Sequence, residues 1–74
     1  PNPVNDWIEL KWKTAVNGTI YLYDLMGKEI FSKKILNSRI IDFNLMDYSL
    51  KTGTYLLKFE SDKGGIVQQK IIKL

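Results

Sequence analysis

The 74-residue sequence has no cysteine and no histidine. Without cysteine there is neither a disulfide framework nor a thiolate nucleophile, and the redox compartment cannot be read from Cys spacing. Without histidine the usual general base near neutral pH is missing. Ser32, Ser38, Ser49 and Ser61 stand in turn or surface contexts with no nucleophile elbow around them. Asp24, Asp42, Asp47 and Asp62 are scattered with no calcium-loop spacing, and Gly64-Gly65 lacks the spacing of a phosphate loop. Nothing here calls for a catalytic residue, a metal or a cofactor. No apolar run approaches the roughly 20 residues of a membrane-spanning helix. No block of one charge sign exists either: eleven basic and eight acidic residues are interspersed, for a net charge of +3. A nucleic-acid binder would rest only on the basic isoelectric point, without a basic stripe to support it.

What is present is alternation. Between residues 7 and 13, Ile8, Leu10 and Trp12 fall on one face, and Glu9, Lys11 and Lys13 on the other, the pattern of a half-buried strand. Val16-Asn17-Gly18 reads as a turn before a second strand rich in β-branched and aromatic residues, 19–23. Asp24-Leu25-Met26-Gly27 reads as a tight reversal, since Asp bonds its own following backbone and Gly accepts a positive φ. Residues 28–35 form the returning strand, Asn37-Ser38 marks another turn, and 39–43 a fourth strand with Ile41 and Phe43 inward. Around Leu45, Tyr48 and Leu50 a short helical turn and a packed loop fit equally well. Residues 54–60 are a strong strand, 61–65 a turn, and 66–73 the last strand, with a seventh strand possible at Pro3-Val4. Strands separated by turn signals about every 8 to 12 residues indicate a single all-β domain, a small antiparallel sandwich of six to seven strands. A domain this small buries only about 60% of the surface of its unfolded chain, so its stability is modest.

Three signatures occur in fixed order: Pro1-Asn2-Pro3 before the first strand, Tyr23-Asp24-Leu25-Met26-Gly27-Lys28 at the hairpin, and Leu50, Gly53 and Tyr55 leading into an apolar strand. A lysine-rich end, Gln68-Gln69-Lys70-Ile71-Ile72-Lys73-Leu74, closes the chain. The series resembles the type A C-terminal sorting domain carried by cargo of the type IX secretion system. The aromatic that usually precedes the Pro-Asn-Pro signature is not in this sequence. The Leu-x-x-Gly-x-Tyr signature also resembles the tyrosine corner of immunoglobulin-like sandwiches, in which the ring packs inward and the hydroxyl ties back to nearby backbone.

The resemblance implies a non-enzymatic immunoglobulin-like module at the end of a larger secreted precursor, and the start at Pro1 without a signal region agrees with a piece of such a precursor. It implies passage through the periplasm and recognition by the type IX translocon and its shuttle. A sortase-like attachment complex would then remove the domain at the cell surface, leaving the cargo surface-bound or secreted. Partners are therefore that machinery and an N-terminal cargo domain, with no nucleic acid and no membrane insertion. The family's recognised terminal region corresponds to Lys70, Ile71, Ile72, Lys73 and Leu74, with Lys58 and Lys63 adding charge. Pro1, Asn2, Pro3, Asp24, Gly27, Gly53 and Tyr55 form the scaffold motif. The rival reading is a carbohydrate-binding or fibronectin-like accessory module of a secreted hydrolase, with Trp7, Tyr21 and Tyr23 as the stacking surface. Strand propensity and cross-strand pairing account for the same tyrosines without any ligand.

Overall fold

Two strands are far longer than the turn signals suggest. In the computed structural model, which describes residues 2–4 and 7–74 (without the side chains of 2–4, 43, 46 and 47), the order is β1 (Asn2–Val4), β2 (Trp7–Asp24), β3 (Glu29–Asn44), a 3-10 helix (Leu45–Tyr48), β4 (Gly53–Ser61) and β5 (Ile66–Lys73). All six expected strand segments lie in strands and Asn2–Val4 is a strand as well, but among the described residues the strands number five, not six to seven, because β2 and β3 each join two of the expected segments. The expected turns at Val16-Asn17-Gly18 and Asn37-Ser38, however, do not reverse the chain. They lie inside β2 and β3, directly across one hairpin, where Val16 pairs with Ser38 and Gly18 with Ile35.

These positions bend the hairpin instead of ending its strands. An 18-residue strand would extend about 60 Å, yet the longest dimension of the molecule is 32 Å. The pairing register breaks between Lys11 and Val16 and again between Val16 and Gly18, as β-bulges do where strands turn a corner. Asn17 Oδ1 accepts a 2.9 Å bond from the Asn37 backbone N–H, and Asn37 has a φ of 45°, a conformation that Asn tolerates better than most residues. The Asn17 carbonyl accepts from Asp62 N–H at 3.0 Å, pinning the bend to the β4–β5 turn. Gly18 is required by close approach, because a Cβ there would collide with the Glu60 carbonyl and the Phe59 ring.

The sheet order is β1-β5-β4-β2-β3. The second half of β2 pairs with both β3 and β4, whereas the first half pairs only with the end of β3. That first half folds back as a second layer, bringing the Trp12 ring to 5.0 Å from Phe59 on β4. A sandwich thus arises from one continuous, bent sheet. The β-pairs are antiparallel except β1–β5, which is parallel, a departure from the all-antiparallel expectation.

Between the layers lie Ile8, Ile20, Leu22, Phe31, Ile35, Leu45, Tyr55, Leu57, Phe59 and Ile71, all buried, with Leu10, Trp12, Val16, Ile30, Ile41 and Leu50 packed against them. Alternation on β2 and β4 accounts for this set: Leu22 stands between Phe31 and Leu57, and Ile20 pairs with Phe59. Ile41 faces inward as expected; the Phe43 side chain lies outside the described residues. The segment that fitted either a helical turn or a loop forms the 3-10 helix, burying Leu45 completely and stacking Tyr48 on Phe31 at 4.2 Å.

Candidate recognition face

Cross-strand register decides which side chains share the outer face. β4 and β5 pair as Leu56 with Lys70, Lys58 with Gln68, and Thr54 with Ile72, while β2 sets Tyr21 beside Lys58 and Tyr23 beside Leu56. The inward positions of these strands are Leu22, Leu57 and Ile71, so alternation sends Tyr21, Tyr23, Leu56, Lys58, Lys70 and Ile72 outward. Tyr21 and Tyr23 stack with centroids 6.0 Å apart and planes 17° from parallel. The Lys58 ammonium sits 4.8 Å from the Tyr21 centroid and 5.4 Å from that of Tyr23, a cation–π arrangement over both rings. Lys58 also lies 3.9 Å from Glu60. Lys34, paired through Thr19, and Glu29, opposite Tyr23, fall on the same side, and Lys34 lies 3.9 Å from Asp62, so the face is aromatic and carries charges of both signs.

The terminal segment divides. Ile71 is only 3% exposed and belongs to the core. Lys70 and Leu74 are exposed, Ile72 and Lys73 half-buried, and Lys73 Nζ donates to the Leu74 carbonyl at 3.2 Å. Lys58 shares the face of Lys70, but Lys63 does not: it lies in the β4–β5 turn, roughly 20 Å along the strand from Lys70.

Asp24 Oδ1 accepts from the N–H groups of Met26 and Lys28, both at 2.9 Å, and Gly27 takes a φ of 84°. Tyr55 is buried, and its hydroxyl donates to the Lys51 carbonyl at 2.6 Å, the tie-back of a tyrosine corner. Gly53 opens β4 opposite Lys73. Asn2 and Pro3 lie on β1, and Pro1 lies outside the described residues.

The three aromatics of the rival reading do not converge. Trp7 is 64% exposed on the folded-back half of β2, whereas Tyr21 and Tyr23 face outward from the other layer, with Lys58 already over their rings. Among the described residues there is no cluster of three or more His, Cys, Asp or Glu that could hold a metal ion. Sequence reading missed Leu56 and the Lys58–tyrosine stack. Counting back from the 61–65 turn would have paired 56 with 70 and 58 with 68.

No curated protein matches the sequence. Among solved structures, CopC from Methylosinus trichosporium OB3b superposes with a TM-score of 0.65 at 21% identity, over 97% of this chain and 81% of that one, a likeness of fold alone. The family model of the secretion system C-terminal sorting domain matches residues 1–73. With its motifs, hairpin and terminal strand all inside that match, the chain belongs to the C-terminal sorting domain family of type IX secretion.

Proposed function

We propose that this domain is a non-enzymatic export signal, of the type A subfamily, that the type IX machinery recognises in its folded state after the precursor has reached the periplasm. The observation that carries the reading is the family match over residues 1–73. The terminal strand supports a folded signal over a linear one: β5 is hydrogen-bonded to β4 along its length, and Ile71 is in the core. An extended tail would have to leave the sheet to be read.

In this reading the side chains divide by role. Ile71 holds the strand in place, and Gly53 and Tyr55 hold the start of β4 against it. Lys70 and Ile72 face the machinery, joined by Lys58, Tyr21, Tyr23 and Leu56, with Leu74 exposed at the end of the strand and Lys73 on the alternate side with Ile71. Lys70 and Lys58 on this face suit acidic groups of a partner at close range, where complementary charges fix the register of contact. A shuttle and a cell-surface sortase-like complex then act on the precursor, removing the domain and leaving the cargo anchored or released. Deleting residues 1–74 from the precursor tests the reading. Cargo should then accumulate in the periplasm; export of the shortened cargo would refute it.

A further inference from the structure

β5 is paired with β4 along its whole length, from Ile66 to Lys73, but on its other side β1 covers only Ile71, Ile72 and Lys73. Among the described residues no strand lies along that second edge at positions 66–70. Beside it is a groove of about 220 Å³ lined by Leu10, Trp12, Leu57, Phe59, Val67 and Gln69. Across the groove, the first half of β2 is paired on one side only among the described residues. Two backbone edges thus flank an apolar slot on the open side of the sandwich, and Ile66 and Val67 beside it are 54% and 65% exposed.

The direction of β1 says what reaches this slot. Asn2 pairs with Ile71, Pro3 with Ile72 and Val4 with Lys73, in parallel. Each residue ahead of Asn2 therefore falls one position earlier on β5. The residue immediately before Pro1 comes opposite Gln69, and the one two places before that opposite Val67, both on the inward register. An antiparallel β1 would have sent the preceding chain past Lys73 and away from the molecule. The prolines do not obstruct this path. Alternate residues of a strand direct their N–H groups to the same neighbour, and Pro3 has the parity opposite to that of Asn2, which leaves the parity of Asn2 to bond β5.

We propose that the segment joining the cargo to Pro1 continues β1 as an extended strand along positions 66–70 of β5 and covers the apolar groove. This rests on the reading of the chain as a domain fused behind a cargo. Strand addition of this kind supplies main-chain hydrogen bonds for the edge and a pocket for alternate side chains. It also covers a sheet edge that would otherwise pair with other chains. The linker and the export domain then fold as one unit.

Hydrogen exchange on the full precursor tests this, with the native linker compared against an equal-length Gly-Ser replacement. Amides at positions 66–70 that face the groove are expected to exchange at least roughly tenfold more slowly with the native linker, as newly paired edge amides do, while those of Ile20 and Leu22 exchange alike in both. A second readout uses Val67→Cys, at an exposed position of a cysteine-free domain. Its labelling by a thiol reagent should be several-fold slower behind the native linker. Equal exchange and equal labelling in the two precursors would overturn the proposal. So would protection that appears with either linker and rises with protein concentration, which would assign the edge to a second copy. Export is not read in this experiment. A protected edge in a precursor that is never secreted would sink the sorting role alone, and an unprotected edge in a secreted precursor would sink the linker strand alone.

Discussion

Single residues in this domain hold geometry more than they hold energy, and three of them make that measurable. The Tyr55 hydroxyl bonds the Lys51 carbonyl from a buried ring, so Tyr55→Phe removes one hydrogen bond without emptying space. The expected loss is about 1 kcal/mol, read as a fall of about 4–8 °C in the thermal midpoint of a domain of this size. An unchanged midpoint would show that the corner is incidental. Gly18→Ala is more severe, because the added Cβ meets the Glu60 carbonyl and the Phe59 ring at the point where the hairpin bends. Overpacking of this kind costs about 1–3 kcal/mol, which denaturant titration would resolve. At the hairpin, Asp24→Ala takes the acceptor from two backbone N–H groups, whereas Asp24→Asn keeps an oxygen in the same place. The alanine variant is expected to lose about 1 kcal/mol and the asparagine variant much less. Equal losses would mean that charge, not acceptor geometry, fixes the turn.

At the scale of elements, local signals were legible and their partners were not. The Asp24 turn, the tyrosine corner and the inward set Ile8, Leu10 and Trp12 follow from residue chemistry and period-2 alternation. The bends at Val16-Asn17-Gly18 and Asn37-Ser38 carry the same Asn, Gly and Ser residues as reversals. Only their position opposite one another across the hairpin makes them corners, and that depends on register between distant segments. The parallel pairing of β1 is likewise a long-range event that three residues cannot announce. β5 shows the same limit, since alternation alone separates Ile71 from Lys70 and Ile72 but does not set Lys70 beside Leu56 and near the tyrosine pair. This division has a measurable consequence. Ile71→Ala should cost about 2–5 kcal/mol as a buried large-to-small change, and lose export through unfolding. Lys70→Glu, on the exposed side, should leave stability within about 0.5 kcal/mol and lose export nonetheless. If Lys70→Glu alone left secretion untouched while Ile71→Ala abolished it, the strand would act only as scaffold.

For the whole molecule, the family was readable from the order of short motifs, each common by itself, whereas the face that gathers Tyr21, Tyr23, Leu56, Lys58 and Lys70 needed the folded sheet. Removing residues 70–74 is therefore a poor test of recognition: it takes Ile71 from the core and strips β1 of its partners, so a failure of export would report unfolding. The direct measurement keeps the fold and inverts the charge of the face. A fluorescent protein bearing a periplasmic signal is fused through the native linker to residues 1–74 in a bacterium that has the type IX system. It is compared with the Lys58→Glu/Lys70→Glu variant and with a charge-matched control, Lys28→Glu/Lys63→Glu, placed in the two exposed turns. Circular dichroism establishes that all three are folded. Fluorescence at the surface or in the medium is expected for the intact domain and the control, and in the periplasm for the face variant. Retention of the intact fusion in the periplasm would contradict a sorting role, and export of all three alike would contradict recognition through the Lys58 and Lys70 face.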